Sequence, residues 1–184
     1  MKNIETDIPI VGFAAYSGTG KTTLLVNIIP LLKKRGLEVG VIKHAHHTFE
    51  IDRPGKDSFE IRKAGANQML IGSKERWALM VEQEEDDHKI RLQEYISKLD
   101  HDKLDIILVE GFKTEAIPKI ELHRPSLKHP LISLSDESII AIATDAPLPE
   151  HNELTVLDLN NYEIIVEYII ENICNKDNGA TAND

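Results

Sequence analysis

Lys21 and Thr22 close the octapeptide Ala15-Tyr16-Ser17-Gly18-Thr19-Gly20-Lys21-Thr22, and Thr23 follows directly. Small residues at this spacing let a backbone curl around an anion with its N–H groups turned inward. The Lys21 ammonium can then reach the outer phosphates of a nucleotide, and the Thr22 hydroxyl can serve Mg²⁺. Ser17, Gly18, Thr19, Gly20, Lys21, Thr22 and Thr23 are thus the candidate phosphate-binding residues. The strict pattern G-x4-G-K-[ST] carries Ala15 in place of its first glycine. A methyl group fits there provided φ stays negative.

This chemistry needs a strand before the loop and a helix after it. Ile8, Ile10, Val11 and Phe13 form an apolar run, and Leu24, Leu25, Ile28, Ile29 and Leu32 recur at helical spacing before Gly36. The unpaired N–H groups of the new helix favour negative charge at the loop.

Further along, buried-strand patterns span residues 37–42, 105–111 and 138–144, with a shorter one at 156–158. A capping box at Asp57 and Glu60 predicts a helix over 58–64. Residues 68–71 and 77–81 read as two brief strands, with the single tryptophan, Trp77, assigned to the core. Amphipathic helices are predicted over 89–99 and 162–173. Residues 117–123 and 131–134 suggest a protruding, hairpin-like excursion interrupted by Pro125 and Pro130, available for pairing with a second subunit. Strands alternating with helices argue for an α/β fold with a mainly parallel sheet. One domain over 1–174, with a polar tail over 175–184, accommodates all of this.

Ligands of such sheets gather at the carboxyl ends of the strands. That rule brings the phosphate loop together with Lys43, Glu110 and Asp145. Glu110 ends a buried strand facing the loop and can hold Mg²⁺ directly or through water. Lys43 can neutralise phosphate. Asp145 can accept from the N1–H and N2–H₂ of guanine, or act simply as a turn aspartate before Pro147. Asp52 and Asp57 follow the second strand, where loops answering a γ-phosphate occur. Asp52 is a candidate Mg²⁺ ligand, and Asp57 a candidate catalytic group beside Lys21 and Glu110. His44, His46 and His47 admit a transition-metal reading.

Composition narrows the function classes. The chain has 184 residues, a net charge of −10 and one cysteine, Cys174. Broad attraction to nucleic acid or anionic membrane is disfavoured, and no intramolecular disulfide is possible. No apolar run reaches the length of a membrane span, and a cytoplasmic setting is expected.

The segments AYSGTGKTTLL, IKHAHH, D-x-PGKDS, RKAGA, RWALM and LVEGFK stand in an order that resembles the MobB family, the molybdopterin-guanine dinucleotide biosynthesis protein B family. The similarity covers roughly residues 8–170. It implies a three-layer P-loop NTPase fold and a homodimer that binds GTP and Mg²⁺. It further implies weak GTPase activity and a mainly adaptor role beside a MobA-type guanylyltransferase that attaches GMP to molybdopterin. A metallochaperone-type GTPase using the histidines and a small-molecule kinase are the alternatives.

Overall fold

The computed structural model describes residues 4–45, 49–82, 91–148 and 153–175. The chain divides into two compact units, Met1–His44 with Arg91–Asp184, and Ala45–Ile90.

The larger unit is built on a six-stranded sheet in the order β2-β5-β1-β6-β7-β8. Its strands are β1 (Ile10–Ala14), β2 (Val39–Lys43), β5 (Ile106–Glu110), β6 (Lys119–His123), β7 (Ile139–Thr144) and β8 (Thr155–Asp158). Every neighbouring pair is parallel. Strands alternate side chains between faces, so a parallel sheet needs cover on both. On one face Val11, Phe13, Ile106, Leu108, Ile120 and Leu122 pack against α1 (Lys21–Lys34) and α4 (Tyr162–Ile169). On the other, Ile10, Ile107 and Val109 meet Leu92 and Ile96 of α3 (Leu92–Ile96). Helices on both sides make the three-layer α/β architecture that the sequence predicts.

β1 is buried from end to end, and β5 as far as Val109, because both faces are covered, whereas β2, at the sheet edge, alternates between buried and exposed positions. The uniformly buried strand expected over 37–42 is therefore corrected. Closing the chain, α4 runs into a π-helical turn, Ile170–Cys174.

The excursion expected over 117–134 is also corrected. β6 lies inside the sheet between β1 and β7, and residues Ile132–Leu134 form a 3₁₀ turn rather than a pairing strand. Its alternation of polar and apolar residues suggested a half-exposed ribbon, yet Lys119, Glu121 and His123 are all buried. Two of these polar groups have visible partners. Lys119 Nζ donates to Asp136 Oδ2 at 3.0 Å and to Ser138 Oγ at 2.6 Å. Glu121 accepts from the backbone N–H of Ile132 at 2.7 Å and of Ser133 at 2.8 Å. Paired in this way, charge can occupy a strand interior.

The smaller unit contains α2 (Asp57–Lys63) and an antiparallel ribbon of β3 (Gln68–Gly72) and β4 (Trp77–Val81). Asp57 is the first helical residue and Lys56 takes the N-cap without a side-chain bond, which displaces the predicted capping box by one position. Glu60 instead accepts from the Gly55 N–H at 3.3 Å. Trp77 is 70% exposed, contrary to its expected place in the core. A two-stranded ribbon presents alternate residues to opposite faces, so an apolar run along it does not imply burial on both.

Candidate functional site

β1 hands the chain directly to the loop and α1. Gly20 occupies the helix N-cap with φ 109°, and Gly18 has φ 80°. These left-handed conformations are where glycine is needed. Ala15 is not among the described residues with positive φ and is buried, so the alanine in place of glycine is accommodated without strain. No side chain caps α1, which leaves its first N–H groups to a ligand.

Lys21 folds back over the loop. Its Nζ donates to the carbonyl oxygens of Ala15 at 3.0 Å and Tyr16 at 3.4 Å. Burial lowers the ammonium pKa; Glu110 opposes that shift, while Lys113 and Lys43 add to it. An incoming anion would relieve the repulsion between these cations. Thr19 is buried and braces the turn through its hydroxyl, which donates to Tyr16 O at 2.9 Å.

A cleft of about 380 Å³ is lined by Ser17, Gly18, Gly20, Lys21, Thr22, Thr23 and Glu110. Six of these seven come from one continuous stretch, and Glu110 arrives from the end of β5, which pairs with β1. Lys43 and Glu110 stand opposite each other in the β2–β5 register and form an ion pair at 3.0 Å. The Glu110 side chain is 14% exposed, against 56% for Lys43. Immediately beyond, Gly111 has φ 100°, and a Cβ there would lie 2.7 Å from His44 Cβ. The turn that presents Glu110 can hold only glycine.

Asp145, at the end of β7, lines a second open cavity of about 380 Å³ with Thr144, Ala146, Pro147, Asp158 and Asn160 among its walls. Its Oδ2 accepts from Arg124 Nη1 at 2.5 Å. Arg124 Nε donates to the carbonyl of Thr19 at 2.9 Å, so this arginine joins the loop to Asp145. Sequence reasoning missed Arg124 because β6 was read as an excursion. The available signal was a strand ending in His-Arg-Pro, by the same rule that located Glu110 and Asp145.

Asp52 and Asp57 belong to the smaller unit. Asp52 Oδ1 accepts from Arg62 Nη2 at 2.7 Å, and that hydrogen bond holds its carboxyl below the usual range. Its Oδ2 is buried and meets no hydrogen-bond partner among the described residues. Arg62 is itself buried and also pairs with Glu50 and Glu82. Asp57 is exposed in the first turn of α2. His44 stacks obliquely on Phe112 at 5.0 Å, whereas His46 and His47 lie outside the described residues.

Comparison with known proteins adds to this geometry. Residues 10–145 match the family model described as MobB, molybdopterin guanine dinucleotide synthesis protein B. The chain is 48% identical over 168 residues to the molybdopterin-guanine dinucleotide biosynthesis adapter protein of Escherichia coli K12, covering 91% of this chain and 94% of that one. It is 42% identical to the adapter protein of the same description from Haemophilus influenzae, over 90% of each chain. The crystal structure of Bacillus subtilis MobB superposes with a TM-score of 0.71 at 24% identity, covering 90% of this chain and 98% of that one. The glycine-rich loop between β1 and α1, the glycine-backed carboxylate of β5 and the family match over most of the chain lead to one assignment: this protein belongs to the MobB family.

Proposed function

We propose that the chain binds GTP with Mg²⁺ at the loop of residues 15–23, hydrolyses it slowly, and serves as an adapter that assists a MobA-type enzyme in attaching GMP to molybdopterin. The observation that carries this reading is the cleft in which Ser17, Gly18, Gly20, Lys21, Thr22 and Thr23 face Glu110. The adapter role is supported by the description of the 48% identical Escherichia coli relative.

The donor set suits a hard cation. Thr22 supplies a hydroxyl and Glu110 a carboxylate to the lining of one cleft, and oxygen ligands with retained waters are what Mg²⁺ prefers. When bound, Mg²⁺ neutralises phosphate charge. Lys21 supplies a point charge to the outer phosphates, and the backbone N–H groups of the loop and first turn of α1 orient them. Lys43, 3.0 Å from the Glu110 carboxylate, holds that side chain in place. Asp145 is the group proposed to read the guanine edge. Turnover is slow because the cleft residues position and stabilise charge, and the one carboxylate among the described residues that line it, Glu110, is committed to Mg²⁺.

Dimerisation is part of the proposal and is supported by the β3–β4 ribbon. Leu70, Trp77 and Leu79 on it are 66%, 70% and 47% exposed, a concentration of apolar surface suited to a second copy.

Titration calorimetry with GTP and Mg²⁺ tests the nucleotide site. Lys21→Ala should weaken binding by about tenfold or more, the loss of a charge-assisted phosphate contact, while the circular dichroism of the fold is unchanged. Equal affinity in the folded variant would refute the site. Label from the γ-phosphate should appear only as inorganic phosphate; transfer to a small molecule would point to a kinase.

A further inference from the structure

We propose that Arg124 is a positioning residue that fixes the phosphate loop in its anion-binding shape, and that Asp145 acts on phosphate binding through Arg124. This inference rests on the nucleotide reading above and goes beyond it.

Arg124 follows β6 directly and reaches two separate loops. Its Nε donates to the Thr19 carbonyl at 2.9 Å, and its Nη1 pairs with Asp145 at 2.5 Å. The third nitrogen, Nη2, lies 3.8 Å from where a Cβ on Gly20 would stand. A planar guanidinium can serve two acceptors in fixed directions, which a lysine cannot.

The bond to Thr19 has a consequence across the peptide link. The Thr19–Gly20 peptide is trans and planar, so its carbonyl and its N–H point in opposite directions. Holding the Thr19 oxygen on Arg124 therefore turns the Gly20 N–H the other way. Gly20 lines the cleft, and Arg124 thereby aims one of the amides that would meet phosphate. The same segment touches the loop a second time, because the His129 ring stacks on Tyr16 at 4.3 Å with the planes 15° apart. Asp145 fixes the guanidinium from its far end, so the strand end proposed to meet the base is mechanically joined to the loop proposed to meet the phosphates.

Inorganic tripolyphosphate with Mg²⁺ is the probe, because it has no base for Asp145 to read. Its affinity is measured by calorimetry for the wild type, Lys21→Ala, Arg124→Gln, Arg124→Lys, Asp145→Ala and the Arg124→Gln/Asp145→Ala double variant. Simple electrostatics says that deleting the Asp145 charge tightens anion binding. The strap says the opposite: Asp145→Ala weakens it about three- to tenfold, the effect of a lost charged hydrogen bond. Arg124→Gln weakens it at least as much, Arg124→Lys falls between Arg124→Gln and wild type, and the double variant is no weaker than Arg124→Gln alone. Unchanged or tighter binding in Asp145→Ala overturns the proposal, as does full additivity in the double variant, with Lys21→Ala still weakened. Wild-type protein that binds neither GTP nor tripolyphosphate, or that binds both equally well after Lys21→Ala, overturns the nucleotide reading and this inference with it.

Discussion

At the scale of single residues, the buried charges outside the cleft are sites where losing one partner is costly. The Lys119 side chain is 3% exposed and donates to Asp136 and Ser138. Replacing it with methionine leaves Asp136 without its cation and Ser138 without a donor. We expect Lys119→Met to lower stability by about 1–3 kcal/mol, read from urea denaturation midpoints. Asp136 also predicts a pH dependence. Burial acts to raise its carboxyl pKa, but hydrogen bonds from Ser138 and Lys119 outweigh that and hold it lowered. A carboxyl depressed in the folded state contributes stability above its unfolded pKa, and the contribution is lost as pH falls through the folded value. Stability should therefore decline on acidification below about pH 4, and decline less steeply in Asp136→Asn; parallel curves would contradict the assignment. The residues most open to sequence reasoning were those whose place at one cleft follows from type and spacing alone. Lys21 and Thr22 come from the loop pattern, and Glu110 from a carboxylate at the end of an apolar strand. The partners of these groups were not legible. Nothing in sequence separation says that Lys43 and Glu110 stand side by side, or that Asp145 is bound by Arg124.

At the scale of elements, what the chain revealed depended on how local the cause was. β1, α1, β5 and β7 could be read because a strand buried on both faces must be apolar throughout, and a helix shows its own period. β6 could not, because its lysine and glutamate are satisfied by residues 11 to 19 positions away. Polar residues there imitate a half-exposed ribbon until those partners are known. Trp77 fails for the reverse reason: an apolar run identifies a strand but does not say what covers it. The Glu110–Gly111 turn offers a test at this scale. Gly111→Ala combines a left-handed φ with a Cβ only 2.7 Å from His44 Cβ. We expect a loss of about 2 kcal/mol or more, with weaker GTP binding because Glu110 is displaced. A variant with wild-type melting temperature and affinity would show that this turn does not position the carboxylate.

At the scale of the whole molecule, the proposed dimer is testable without disturbing the parallel sheet. Trp77 is largely exposed within its own chain, so Trp77→Asp should change protomer stability by less than about 0.5 kcal/mol. In sedimentation velocity, the wild type should run as a dimer and Trp77→Asp should shift toward monomer. A wild-type monomer at every working concentration would remove the ribbon as a self-association surface.

The buried charges of β6 have one more consequence, for how the sheet assembles. Parallel strands find their neighbours through long connections, with no hairpin to dictate alignment. An all-aliphatic central strand would pack tolerably after sliding by a single residue. β6 would not, because the slide sends Lys119 and Glu121 to the opposite layer, away from Asp136 and from the amides of Ile132 and Ser133. Two ionic side chains thus act as a proofreading key: a misaligned sheet is rejected by the cost of stranded charge rather than by loss of oil-like contact.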